Sequence, residues 1–263
     1  MEKRKTIYYT DELRDEFSSA QLEPKKIDKN YVYVHTSLFK RFTHFFWYRI
    51  VAPIPALLYT KIAFRHKIVN AEVLRPYRST GYFMYGNHTQ DIGDALIPSM
   101  IEMCKDKYVI VNPANLSVPV IGPITPSLGA LPLPDDRDAH RAFTNAIRTR
   151  IEEGSAVVIY PEAHIWPYYT GIRHFSDASF YYPIKHGVPV FCFTNTYRRY
   201  KSSNRPQIVT YVDGPFFPDE SLPLKERRAD LCRRVRITML RRAENSNMKL
   251  IKYVKQQKGG SIE

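Results

Sequence analysis

The chain has 263 residues, 44% of them hydrophobic, which suffices for one large α/β domain or two small ones with a buried core. A formal net charge of +13 favours an anionic partner: nucleic acid, anionic lipid or an acidic carrier protein. The three cysteines, Cys104, Cys192 and Cys232, are odd in number and widely spaced; they exclude a cysteine metal site and fit a reducing compartment.

Residues 1–30 are polar and charged. They read as a loosely held arm with short helical pieces, and no signal peptide is visible in them. Residues 31–65 carry an aromatic-rich apolar segment: Phe42, Phe45, Phe46, Trp47, Tyr48 and Ile50, then Leu57, Leu58 and Tyr59. Arg49, Lys61, Pro53 and Pro55 argue against a spanning helix. Two short helices broken at the prolines fit better. Trp and Tyr beside Arg and Lys suit an interfacial anchor. A core-facing helical hairpin accounts for the same residues.

Residues 66–250 alternate. Strands are predicted at 67–74, 82–86, 107–112, 128–133, 155–161, 188–194 and 207–212. Helices are predicted at 94–104, 137–153, 176–186 and 222–245. This order predicts an α/β domain: a central, mostly parallel or mixed sheet flanked by helices, preceded by the amphipathic N-terminal segment. Residues 251–263 read as a flexible tail.

Four blocks carry chemistry. In the first, Asn87, His88, Asp91 and Asp94 lie on a strand-to-helix connection, where a scaffold presents side chains to a ligand. A His takes a proton from a hydroxyl when a carboxylate holds its other ring nitrogen. Either Asp can do that, and either can equally cap the helix start. The second runs from Gly129 to Arg137 and puts an Arg at a helix N-terminus, as phosphate binding needs. The third, Tyr160-Pro161-Glu162-Ala163-His164, puts a carboxylate at the edge of the sheet. The fourth is Val188-Pro189-Val190, a strand start.

In this order and spacing the four blocks, over residues 65–195, resemble the glycerolipid acyltransferase family, which includes the lysophosphatidic acid acyltransferases. The family pattern is Asn-His, four residues, then Asp. Here Gly93 holds that place and Asp94 follows, so Asp94 aligns with one inserted residue and Asp91 is the other choice. The family Gly after Glu is Ala163. The Thr-Arg-Ser that follows is replaced by His164-Ile165-Trp166, so Arg173 or His164 would stand in for the missing Arg.

The resemblance implies acyl transfer from acyl-CoA or acyl-carrier protein, as co-substrate, to a lysophospholipid hydroxyl. His88 is the implied base, with Asp94 or Asp91 orienting it. Asn87, Gly129, Arg137, Glu162, His164 and Arg173 are the implied substrate-binding residues. No metal and no other cofactor is expected. The expected place is the cytoplasmic face of a membrane, peripheral or monotopic. Another lipid acceptor, such as a glycolipid, and a non-catalytic basic membrane-binding protein remain open. Nucleic acid is not expected, since neither a recognition helix nor an RNA-binding aromatic motif is visible.

Overall fold

The computed structural model describes residues 5–18, 22–35 and 37–256. In chain order the strands are β1 (Lys5–Tyr9), β2 (Lys67–Val69), β3 (Tyr82–Gly86), β4 (Lys107–Val111), β5 (Ala130–Pro132), β6 (Ala156–Ile159), β7 (Val190–Arg198), β8 (Gln207–Phe216) and β9 (Ile251–Lys255). The α-helices are α1 (Leu38–Phe45), α2 (Pro53–Leu57), α3 (Gly93–Ile101), α4 (Arg137–Glu152), α5 (Tyr181–His186) and α6 (Leu224–Ala243). β2 to β8 form a seven-stranded sheet in the order β2-β8-β7-β3-β6-β4-β5. The β7–β8 pair is antiparallel and the other pairs are parallel, so the sheet is mixed and mostly parallel, as expected.

The central strands are apolar at every position because both faces of the sheet are covered. Alternate residues serve opposite faces. Phe83, Tyr85, Val157 and Ile159 join Phe143 and Ile147 of α4 and Leu231, Val235 and Met239 of α6. Tyr82, Met84, Val158 and Phe191 join Ile97 and Ile101 of α3 on the other face. Each such side chain, fully buried, contributes roughly 1.5–3 kcal/mol.

Several predicted boundaries move. The strand expected over 67–74 stops at Val69, because Asn70 turns left-handed at φ 67 and a 3-10 segment, Ala71–Tyr77, follows. β7 and β8 run past the expected ends. Polar Thr194, Asn195 and Thr196 are buried there, and Thr196 Oγ1 donates to the Val209 carbonyl at 2.8 Å. A polar run inside a strand breaks the apolar pattern without breaking the ladder.

Both chain ends correct the expectation of loose segments. β1 pairs in parallel with β9, so the N-terminal arm contains a strand and the predicted tail begins with one. Trp166 holds the pair to the body, with ring centroids 4.6 Å from Tyr9 and 4.8 Å from Tyr253. The rest of the predicted tail, from residue 257, lies outside the described residues.

The segment after α1 continues through π-helical turns at Phe46–Val51 and, beyond α2, at Leu58–Ala63. Pro53 opens α2, where its missing N–H costs nothing. Polar side chains pin one side of the segment to the body. Arg49 pairs with Asp106 at 2.6 Å, and the Lys107 N–H donates to the Tyr48 hydroxyl at 2.9 Å. The other side is apolar and open: Leu38 is 79% exposed, Phe39 73%, Phe42 64% and Ile62 70%. Among the described residues no helix is long and apolar enough to cross a membrane.

Candidate active site

The parallel strands β7, β3, β6, β4 and β5 point their C-terminal ends to one edge, where ligands meet open α/β sheets. Gly86 ends β3 hard against β7: a Cβ there would lie 2.2 Å from the Phe193 ring. Asn87 then extends the β3–β7 ladder with its side chain. Its Nδ2 donates to the Asn195 carbonyl at 3.0 Å, and its Oδ1 accepts from the Asn195 N–H at 2.8 Å. This clasp fixes how the chain enters His88.

The loop Thr89–Ile92 folds back before α3, which starts at Gly93. The extra residue noted in the sequence is absorbed in this turn. It brings Asp94 Oδ2 to 2.8 Å from His88 Nδ1. The same oxygen accepts from the N–H groups of Thr89 at 2.8 Å and Gln90 at 2.9 Å. Asp94 is buried; burial pushes its carboxyl up, while His88 and the two amides pull it down. The His88 ring stacks on Tyr160 at 4.5 Å, and Tyr160 donates from its hydroxyl to the Asp94 carbonyl. Asp94 Oδ2 accepts from two amide N–H groups and faces His88 Nδ1, so the hydrogen-bond network assigns the ring proton to Nδ1 and the lone pair to Nε2. The His88 side chain is 18% exposed, so the ring reaches solvent. Such a pair can deprotonate a hydroxyl.

Asp91 is exposed on the loop and Asp94 is buried against the ring. Glu162 faces inward: its Oε2 accepts from the His88 N–H at 3.1 Å and its Oε1 from the Arg173 N–H at 2.9 Å. Burial raises the Glu162 carboxyl and Arg173 opposes that. The Arg173 side chain is 0% exposed, with its guanidinium on Glu162, the His164 carbonyl and the Glu12 carbonyl. Arg173, expected among the substrate-binding residues, is placed here with Glu162 in a buried brace under the His88 loop. His164 turns to the N-terminal arm, with Nδ1 3.3 Å from Glu16 Oε2.

Gly129, another expected binding residue, lies away from His88. Cross-strand register runs Ala130–Val109–Val158–Met84, so Gly129 is level with Phe83. His88 is five residues further on, roughly 16 Å along a strand. At φ +89, with a Cβ position 2.4 Å from the Lys107 carbonyl oxygen, Gly129 serves a turn at the far end. Arg137 is exposed at the start of α4, at the same edge as His88 but beyond β5, three strands from β3. At about 4.8 Å per strand, β5 and β3 are about 14 Å apart across the sheet, and the loop after β5 and the long Arg137 side chain set how near its guanidinium comes to His88.

Sequence reasoning missed Asn195, Tyr197, His66 and Tyr59. Asn195 Nδ2 lies 3.5 Å from Asp94 Oδ1, and Asn195 Oδ1 accepts from Thr210 Oγ1 at 2.6 Å. Thr210 Oγ1 meets His66 Nε2 at 2.7 Å. Tyr197 donates to Thr89 Oγ1 at 2.7 Å and accepts from Gln90 Nε2 at 3.0 Å, while Tyr59 donates to Gln90 Oε1 at 3.1 Å. Polar residues inside apolar strands were the signal for Asn195 and Thr210. Nothing local marks Tyr59 or His66. Among the described residues no group of three or more His, Cys, Asp and Glu is placed to hold a metal ion.

No family model and no curated protein sequence matches this chain. Among solved structures it is similar to the 1-acyl-sn-glycerophosphate (LPA) acyltransferase PlsC from Thermotoga maritima. The TM-score is 0.51 and the identity 16%, over 70% of this chain and 74% of that chain. At this identity the likeness is one of fold.

Proposed function

We propose that the protein is an acyltransferase that moves a fatty acyl group from a thioester, acyl-CoA or acyl-carrier protein, to the hydroxyl of a lysophospholipid at a membrane surface. The observation that carries the reading is the His88–Asp94 pair, at 2.8 Å, on the loop past β3 of this fold. His88 Nε2 takes the hydroxyl proton, and Asp94 stabilises the imidazolium. The alkoxide oxygen bonds to the thioester carbonyl carbon. The tetrahedral oxyanion collapses, the C–S bond breaks, and the thiolate takes the proton back from His88. Asn87, Glu162 and Arg173 hold the loop for this step.

The lysophosphatidic acid acceptor brings a phosphate, and a buried phosphate without a partner is costly. Arg137 supports that reading as an exposed guanidinium at the same sheet edge. The apolar outer side of the 38–63 segment supports the membrane: Arg49 pairs into the body, while Leu38, Phe39, Phe42 and Phe45 face out beside the exposed cations Lys40, Arg41 and Lys61. The basic balance suits anionic lipid on the cytoplasmic side of a membrane.

The test is labelled acyl-CoA or acyl-carrier protein with a panel of lysolipids and glycolipids. Wild type should acylate lysophosphatidic acid. His88→Ala should lose ~10²–10⁴-fold in kcat with its fold intact. Arg137→Ala should raise KM for lysophosphatidic acid, and Arg137→Lys should restore part of it. Turnover of none of the acceptors, or full turnover by His88→Ala, sinks the mechanism. Preference for a glycolipid, with Arg137 neutral, moves the acceptor to that class.

A further inference from the structure

Two cavities share the walls Tyr59 and Tyr168. The inner one, about 200 Å³, runs along Thr89, Gln90 and Asp91, directly after His88. The outer one, about 550 Å³, continues past Phe64, Leu250 and Ile251 to Arg205. Volumes of a few hundred Å³ are those of small-ligand sites. Taken together as one channel about their shared walls, they span from the loop after His88 to the β7–β8 hairpin, with His88 itself lining neither cavity. Its walls come from the N-terminal helical segment, the loop carrying Tyr168, the hairpin and the approach to β9.

The far end is strongly basic. The hairpin holds Arg198, Arg199, Lys201 and Arg205 within eight residues. Arg65 adds a fifth cation, seated on the Tyr200 ring at 4.8 Å. Arg199, Lys201 and Arg205 are exposed. Arg205 is close enough to bear on the Tyr168 phenol, whose own shift is upward through burial. Asp91 sits at the other end. An anionic ligand in this channel is therefore oriented, with its charge at the hairpin and away from Asp91.

Resting on the acyltransferase reading, we propose that this channel takes the phosphopantetheine arm of the thioester donor, with the hairpin cations receiving the anionic group at its end. Two features favour the donor over the acceptor. A lysophosphatidic acid carries its hydroxyl and phosphate on one glycerol, so its phosphate stays near His88, whereas Arg205 lines the outer cavity and not the inner one. A thioester held at His88 has its phosphate a long flexible arm away. The hairpin also offers several charges rather than one, which matches a polyanion: the phosphates of CoA or the acidic surface of a carrier protein.

The test measures binding and turnover separately. Free CoA and holo-acyl-carrier protein are titrated into wild type, into Arg199→Ala/Arg205→Ala and into Arg199→Lys/Arg205→Lys by calorimetry, at low and moderate salt. Wild type should bind at least one of the two. The alanine pair should weaken that binding roughly ten-fold or more, and the lysine pair should recover much of it, because charge is the main contact. CoA binding alone assigns the site to nucleotide phosphates; holo-carrier binding alone assigns it to the carrier surface. In turnover, the alanine pair should raise the donor KM and leave the lysolipid KM unchanged. Unchanged binding of both donors, or a rise confined to the lysolipid KM, overturns the assignment. Failure of the enzyme reading looks different: no acceptor turns over, while CoA or carrier binding is still measured.

Discussion

At the scale of single residues, the site depends on which carboxylate meets which nitrogen. Asp94 is buried against His88 Nδ1 and also ties down two loop amides, while Asp91 is exposed. Asp94→Asn should therefore lower kcat far more than Asp91→Asn, by about 10²-fold or more, as expected when the tautomer is lost. Equal effects in steady-state assays would remove the orienting role. His66 offers a different readout. Burial holds its pKa at about 4, with Nδ1 lacking a partner among the described residues. The unfolded imidazole titrates near 6.5, so between those values the unfolded chain binds the extra proton. Stability is thus lost as pH falls from about 6.5 towards 4. Denaturant titrations at pH 7 and pH 5 should show His66 removing about 2 kcal/mol, a loss absent in His66→Gln. An identical pH slope in the two proteins would refute this.

At the scale of elements, the N-terminal helical segment is inverted relative to an ordinary surface helix. Its Arg49 and Tyr48 face the body, and Phe39, Phe42 and Phe45 face out. A water-facing helix shows the opposite arrangement. Phe39→Ser, Phe42→Ser and Phe45→Ser together should leave the fold intact, because these rings are exposed. Binding to anionic vesicles at high salt should fall by about two orders of magnitude or more, given the transfer free energy of three rings. Sedimentation with vesicles measures it; full release of wild type by salt alone would leave only electrostatic attraction. The segment is also wired to chemistry through Tyr59 and Gln90.

At the scale of the whole molecule, the two ends of the chain close over the loop behind the site. Beyond the β1–β9 pairing, Trp166 Nε1 donates to the Asp15 carbonyl at 2.8 Å, and Glu16 accepts from the Ile165 N–H at 3.0 Å. Trp166 N–H in turn donates to the His88 carbonyl at 3.1 Å. Tyr9→Ala with Tyr253→Ala strips two rings from Trp166. A loss of about 3 kcal/mol would lower Tm by roughly 10 °C in a chain of this size. Turnover should fall several-fold, since the Glu162–Arg173 brace lies in the same loop. Unchanged Tm and turnover would make the strap peripheral.

The sequence by itself determined the sheet and its neighbours in outline. Runs such as Tyr82–Gly86 and Ala156–Ile159 are apolar at every position, and only a strand covered on both sides satisfies that. His88, Asp94 and Glu162 were legible because each lies just past such a strand or at the start of the next helix, which local patterning resolves. What tertiary structure decided were pairings between distant residues. Arg173 and Glu162 read as ligand-facing side chains until the N-terminal arm seals them from solvent. Gly129 and Arg137 read as one block, yet strand register places one at the far end of the sheet and the other at the near edge. β1 and β9 stand at opposite ends of the chain, and neither has enough apolar surface to be a strand alone. Asn195 on β7, Thr210 on β8 and His66 in the connection before β2 form a chain of contacts that ends at Asp94. The physical reason is the same in each case: local periodicity reports which face a residue turns to the core. Which charge it meets there depends on chain segments brought in from far along the sequence.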